Sequence, residues 1–70
     1  MDESDIETID GRVIEALPST LFRVETVDGK VVISYLGGRM RVHKIKVLVG
    51  DKVTVQIDPY GGKGRIIKRL

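Results

Sequence analysis

The sequence predicts an all-β fold, a small barrel of five short strands. Valine and isoleucine dominate the apolar residues, and β-branched side chains favour strands. Apolar and polar residues alternate over short segments, which are separated by the turn pairs Asp28-Gly29 and Gly50-Asp51. A chain of 70 residues is expected to form one domain, residues 1–70, with a small core.

The predicted strands follow one another along the chain. The first is long and contains Gly11, which suits a strand that bends around a barrel corner, and Pro18-Ser19-Thr20 ends it. Residues 1–5 are acidic and polar and are expected to be disordered. The five strands are predicted at residues 6–17, 21–27, 30–36, 52–58 and 63–70.

The pair Asp28-Gly29 predicts a hairpin with a two-residue type I′ turn, because that turn requires positive φ at both central residues. This turn would place Val24 opposite Ile33, and Phe22 on the same face as Tyr35. Residues 31–33 are all apolar, however, so the alternation does not select one inner face, and a bulge would be needed to resolve it.

The connection between the third and fourth strands begins with Gly37-Gly38 and is predicted to be a short helical turn or a loop. Five short strands with one longer connection after the third predict a partly open Greek-key barrel, the OB-fold. An SH3-like barrel of similar size is the structural alternative.

Charge is distributed unevenly along the chain. Residues 1–25 carry seven acidic and two basic residues, whereas residues 29–50 carry five basic residues and no acid. Residues 63–69 are again basic without an acid. In a compact fold the two basic segments can merge into one face that attracts polyanions, and phosphate is the expected partner.

Several function classes lack a supporting signal. The chain contains no cysteine, and its single histidine, His43, lies in no metal-ligand spacing, so neither a metal site nor a cofactor is predicted. No nucleophile motif, paired carboxylates or phosphate-loop glycine pattern indicates an enzyme. The acidic N-terminus does not resemble a signal peptide, and no apolar run is long enough to span a membrane, so we expect a soluble cytoplasmic protein.

Several segments together resemble bacterial translation initiation factor 1, over about residues 6–69. The segments specific to that family are Leu17-Pro18-Ser19-Thr20-Leu21-Phe22-Arg23-Val24 and Gly38-Arg39-Met40-Arg41. The segment Gly50-Asp51-Lys52-Val53 is less specific, because it is found in many small RNA-binding barrels. The resemblance is completed by Gly11-Arg12-Val13-Ile14-Glu15, Pro59-Tyr60 and Lys63-Gly64-Arg65-Ile66.

The resemblance implies an OB-fold protein that binds the decoding A site of the small ribosomal subunit through 16S-type rRNA. It implies that the protein prevents tRNA from entering that site prematurely, assists initiation factors 2 and 3, and is not an enzyme. A monomer is expected. Three departures from the family concern the RNA contacts: Val42 replaces a basic residue, Lys44 replaces an aromatic residue, and the loop between Tyr60 and Lys63 is one residue shorter.

Arg39 and Arg41 are the leading candidates for RNA binding, because the planar guanidinium fork suits phosphate. His43 could stack on a base, or it could be an exposed loop residue without a role in binding. Tyr60 could also stack on a base, or it could pack over the barrel mouth. Phe22 is predicted to lie in the core, and Tyr35 is left open. The predicted RNA-binding set is Arg39, Arg41, His43, Lys44, Lys46, Tyr60, Lys63 and Arg65.

Two other kinds of binding module compete with a ribosomal factor. A cold-shock-like or S1-like single-strand binder uses several exposed aromatic side chains as stacking platforms, and this chain has only two tyrosines and one phenylalanine. A protein-interaction module of SH3-like shape would bind protein partners instead of RNA.

Overall fold

Five strands close into a barrel in the computed structural model, which describes residues 7–70. The order around the barrel is β1-β2-β3-β5-β4, and every pair is antiparallel except β3 and β5. This confirms the predicted five-stranded β-barrel. The disorder expected for residues 1–5 lies outside the described residues. The strands are β1 (Glu7–Leu17), β2 (Leu21–Thr26), β3 (Val31–Leu36), β4 (Lys52–Ile57) and β5 (Gly64–Arg69).

The long strand β1 pairs with β4 through its first half and with β2 through its second half. Gly11 lies where the two pairings overlap, in agreement with the predicted corner. A Cβ at this position would lie 2.7 Å from both the Glu25 carbonyl oxygen and Val24 Cγ1, so only glycine allows this approach. The strand continues through Gly11 without interruption, and its register shift lies between Val13 and Glu15.

The predicted register of the β2–β3 hairpin was wrong by one residue. Val24 pairs with Val32, and not with Ile33. The loop has three residues, because the Thr26 N–H donates to the Lys30 carbonyl at 2.8 Å and Gly29 alone in the loop has positive φ, +86°. This is the geometry of a type I turn followed by a left-handed glycine, and an Asp-Gly pair suits it as well as it suits a type I′ turn.

The corrected register places Phe22 and Tyr35 on opposite faces of the sheet. Phe22 pairs with Ser34, and both are buried, whereas Tyr35 pairs with Leu21 on the outer face. The prediction that Phe22 lies in the core is confirmed. The core consists of Val13, Phe22, Val24, Met40, Val47, Val53, Val55 and Ile66.

A second register shift separates the two isoleucines at the centre of β5. Ile66 pairs with Val55 and is fully buried, while Lys68 pairs with Thr54, which leaves Ile67 as the extra residue. Ile67 is 41% exposed, because it follows the buried Ile66 and successive residues of a strand point to opposite faces. Only one of the two isoleucines therefore belongs to the core.

Candidate nucleic-acid interface

The connection between β3 and β4 contains the short helix α1, Gly38–Val42, which agrees with the predicted helical turn. Arg39, Arg41 and Val42 are exposed, whereas Met40 is only 2% exposed and packs into the core. The burial of Met40 could not be predicted from the sequence, because a lone methionine in a basic segment shows no periodicity. Its burial fixes the helix on the barrel, so the two arginines on either side of it point away from the core.

Helix α1 ends in a Schellman motif. The Ile45 N–H donates to the Met40 carbonyl at 2.9 Å, and the Lys44 N–H donates to the Arg41 carbonyl at 3.1 Å. Lys44 occupies the left-handed position of this motif, with φ +53°, where glycine is the usual residue. His43 and Lys44 are both exposed at this turn. The turn therefore directs the chain from the helix into the segment that carries Lys46.

Two hydrogen bonds attach residues 37–46 to β5. The Gly37 N–H donates to the Ile66 carbonyl at 2.9 Å, and the Arg69 guanidinium donates to the Lys46 carbonyl at 2.9 Å. The two acid-free segments of the sequence therefore lie side by side. We call eight of their exposed basic side chains the basic region: Arg39, Arg41, His43, Lys44, Lys46, Lys63, Arg65 and Arg69.

Arg65 lies near the middle of the basic region. Its Nε donates to the Tyr35 hydroxyl at 3.2 Å, and its guanidinium carbon lies 5.7 Å from the centroid of the Tyr35 ring. The Arg65 side chain also passes next to Gly37, where a Cβ would lie 3.3 Å from Arg65 Cγ. These contacts, with β3 and with the chain just before α1, restrict the position of the arginine.

Tyr60 lies in the loop between β4 and β5 and is 92% exposed, so it does not pack over the barrel mouth. The loop is shaped by Asp58, whose carboxylate accepts the Tyr60 N–H at 2.8 Å. Lys63 ends the loop and lines an open groove beside β3, together with Val32 and Ile33. Tyr60 and Lys63 therefore lie at the start of β5, whereas Lys46 and Arg69 lie at its end.

Gly64 has a role that the sequence analysis did not identify. The glycine is buried, and a Cβ there would lie 2.6 Å from Val55 Cγ1 and 2.8 Å from Ser34 Oγ. It therefore permits close packing inside the barrel. The neighbouring Lys63 and Arg65 remain exposed on the outside.

Few carboxylates form ion pairs in the described residues, although Asp58 lines the same groove as Lys63 of the basic region. Glu15 forms an ion pair with Arg23 across β1 and β2. No other ion pair occurs within residues 7–70, so the cationic groups of the basic region are not neutralised by a carboxylate there. Such groups are available to bind phosphate.

Three further residues have a hydrogen-bonding or packing role that the sequence did not indicate: Tyr35, Gly37 and Arg69. The two-residue turn predicted for the hairpin places Tyr35 on the same face as Phe22. A three-residue loop predicts the outer face for Tyr35. Arg69 belongs to β5, and its side chain donates a hydrogen bond to the Lys46 carbonyl that the sequence pattern does not indicate. No signal in the sequence indicates that Gly37 touches Arg65.

Within residues 7–70, no group of three His, Cys, Asp or Glu side chains is placed to hold a metal ion. None of the helices there has the length and apolar character needed to cross a bilayer. What the arrangement provides is a set of exposed cationic side chains and an exposed tyrosine, which are the residue types that contact phosphates and bases in nucleic-acid interfaces.

The model of the eIF-1a family, translation initiation factor 1A / IF-1, matches residues 1–70. The chain belongs to this family. Its members are translation initiation factors without enzymatic activity, and they act on the small ribosomal subunit. This confirms the family resemblance seen in the sequence and the prediction that the protein is not an enzyme.

The barrel is similar to the solution structure of translation initiation factor 1 from the Wolbachia endosymbiont strain TRS of Brugia malayi. The two share 35% sequence identity with a TM-score of 0.79, over 93% of this chain and 78% of that chain. This similarity confirms the predicted OB-fold. The RNA-binding character of the family also supports the prediction of a nucleic-acid ligand.

Two longer proteins contain a similar barrel. YjeQ from Thermotoga maritima is 29% identical, with a TM-score of 0.77, and YloQ, a circularly permuted GTPase, is 28% identical, with a TM-score of 0.79. In each case the match covers 91% of this chain but only 23% of the longer one. The same barrel is therefore one part of those larger proteins.

Proposed function

We propose that this translation initiation factor binds the decoding A site of the small ribosomal subunit through its basic region. By occupying that site it blocks premature entry of tRNA, and it assists initiation factors 2 and 3. The observation that carries this proposal is the attachment of residues 37–46 to β5, which combines two acid-free segments into one cationic surface. The expected rRNA ligand is of the 16S type.

Each part of the basic region has a proposed role. Arg39 and Arg41 bind phosphates from α1, because their guanidinium groups are exposed and have no acidic partner within residues 7–70. Lys44, Lys46 and Lys63 add charge on either side. Tyr60, outside the basic region, stacks on an unpaired base, which its 92% exposure permits. His43 is the second candidate for stacking.

The proposal also includes the state of the protein in the cell. It acts as a cytoplasmic monomer, and residues 1–70 form a single OB-fold domain. A general single-stranded RNA binder is the alternative function, but the aromatic side chains argue against it. Phe22 is buried and Tyr35 is half-buried beneath Arg65, so Tyr60 alone is freely available for stacking.

Sedimentation with purified small and large ribosomal subunits tests the proposal. We expect comigration with the small subunit alone, and chemical protection of its RNA in the decoding A site. Comigration with neither subunit would contradict binding, and protection at another site would contradict the A-site assignment. A single-stranded RNA oligonucleotide that binds as tightly as the subunit would instead support the general RNA binder.

A further inference from the structure

Tyr35 and Arg65 form a cross-strand pair on the outer face of the barrel. They lie opposite each other in the parallel pairing of β3 with β5, so their side chains project on the same side of the sheet. The Tyr35 hydroxyl accepts a hydrogen bond from Arg65 Nε at 3.2 Å, and the guanidinium lies over the ring at 5.7 Å from its centroid. Both values are within the usual ranges for a hydrogen bond and a cation–π contact.

These contacts use only part of the arginine. Nε is occupied by the Tyr35 hydroxyl, while the two terminal nitrogens have no hydrogen-bond partner within residues 7–70. The stem of the same side chain passes next to Gly37, where an added Cβ would lie 3.3 Å from Arg65 Cγ. The free end of the guanidinium is thereby held in a restricted direction next to the start of α1.

We propose that Tyr35 is a positioning residue of the RNA interface, which holds Arg65 ready to bind the RNA and does not itself contact it. The proposal rests on the proposed function. A long arginine side chain loses rotational freedom when it binds, and a side chain that is already ordered in the free protein loses less. Tyr35 therefore raises affinity by reducing the ordering that binding requires.

Three variants separate the parts of this pair. Tyr35→Phe removes the hydroxyl and keeps the ring, Tyr35→Leu removes both, and Arg65→Ala removes the group that is positioned. We expect Tyr35→Phe to weaken small-subunit binding by about threefold and Tyr35→Leu by about tenfold, the range for one side chain that must be immobilised on binding. Neither Tyr35 change should weaken binding further in the Arg65→Ala background.

The Tyr35 variants and Arg65→Ala form a double-mutant cycle, for which Arg39→Ala is the matched control. This arginine is not in contact with Tyr35, so the effects of Arg39→Ala and Tyr35→Leu should add on a logarithmic scale. The salt dependence gives a second distinction. Tyr35→Phe should leave the slope of log K against log salt unchanged, because the charge of Arg65 remains, whereas Arg65→Ala should reduce it.

The order of Arg65 in the free protein is measured by nuclear magnetic resonance of its Nε–Hε group. We expect a rigid group in the wild type and a mobile one in Tyr35→Phe and Tyr35→Leu, with unfolding curves recorded to establish that both variants are folded. An equally rigid Nε–Hε group in Tyr35→Leu would overturn the proposal. So would a loss of binding in Tyr35→Leu that persists without Arg65, since Tyr35 would then contact the RNA itself.

The outcomes also distinguish this inference from the proposed function. If the wild type does not bind small subunits, or if Arg65→Ala has no effect, the proposed role of this surface fails and the inference falls with it. If Arg65→Ala weakens binding but the Tyr35 variants show no coupling to it, only the inference is overturned.

Discussion

The backbone N–H of Gly37 donates to the carbonyl oxygen of Ile66 at 2.9 Å, so the chain enters α1 in direct contact with β5. A Cβ at residue 37 would lie 3.0 Å from that same oxygen. The backbone at Gly37, with φ −64° and ψ 160°, is accessible to any residue. Glycine is therefore favoured here because it leaves space and not because of its conformational freedom.

Gly37→Ala should lower the free energy of unfolding by about 1–3 kcal/mol, because the added methyl group must displace the β5 backbone or α1. It should also weaken small-subunit binding, since the same shift moves Arg65. Chemical denaturation and sedimentation measure the two effects. The matched control is Gly38→Ala, whose Cβ would meet nothing within 4 Å and which should stabilise α1 slightly. Equal effects of the two substitutions would contradict this interpretation of the contact.

The double variant Arg39→Ala, Arg41→Ala should weaken small-subunit binding and reduce its dependence on salt. Each lost phosphate contact should lower the slope of log K against log salt by about 0.7–0.9. Binding measured across a salt series tests this. The control is Arg12→Ala with Lys52→Ala, which removes the same charge from two paired, exposed residues of β1 and β4. An unchanged slope in the first variant would exclude its arginines from the interface.

Phe22→Ala should lower the free energy of unfolding by about 3–5 kcal/mol, the usual effect of truncating a buried phenylalanine. Phe22 is 8% exposed and belongs to the core, and this loss is comparable to the whole stability of many small domains. Tyr60→Ala is the control and should change stability by less than about 0.5 kcal/mol, because the ring is 92% exposed. A loss below about 1 kcal/mol for Phe22→Ala would contradict its burial.

Lys44→Tyr should make small-subunit binding less sensitive to salt and at least as tight at high salt. Stacking of an aromatic ring on a base contributes about 1–3 kcal/mol and resists salt better than a phosphate contact does. Lysine and tyrosine are equally unsuited to the left-handed backbone at φ +53°, so the exchange adds little strain. Parallel salt series with no gain for tyrosine would place residue 44 off the interface, or His43 in the stacking role.

Lys44→Gly is the control for the backbone of the same turn. Glycine relieves the left-handed conformation, so we expect an increase in the free energy of unfolding of about 0.5–1 kcal/mol. Binding should weaken at low salt because the charge is lost. If Lys44→Tyr brings no gain, adding His43→Ala shows whether residue 44 lies off the interface or His43 already stacks on the base. If His43 fills the stacking role, the gain from Lys44→Tyr should appear only when the imidazole is absent.

Protonation of Asp28 should lower the stability of the protein in acid. A hydrogen bond from the Thr26 hydroxyl lowers the pKa of its carboxyl, and Lys30 contributes in the same direction. The unfolded chain therefore takes up this proton at a higher pH than the folded chain does. The stabilisation is complete above the usual pKa of about 4 and is lost as the pH falls through the lowered value. Asp28→Asn should be less stable than the wild type near pH 6, with a difference that shrinks toward pH 2 in denaturation experiments. A constant difference would contradict the linkage.

The strands, the family and the burial of Phe22 could all be predicted from the amino-acid sequence. Local alternation and turn residues suffice for strands, because strand faces follow a period of two. The sequence also shows that the cationic residues fall in two acid-free segments. How those segments meet could not be predicted, since hydrogen bonds such as Gly37 to Ile66 join residues far apart in the chain.

The register of the β2–β3 hairpin, and with it the role of Tyr35, depends on the closed barrel. An Asp-Gly pair suits loops of two and of three residues, and a change of one residue moves every side chain of the following strand to the other face. The apolar residues 31–33 did not resolve the choice. The burial of Ser34 opposite Phe22 shows which face of β3 points inward. Packing of the closed barrel selects this face, which the local sequence leaves open. Because Ser34 is buried, the adjacent Tyr35 lies on the outer face, next to Arg65.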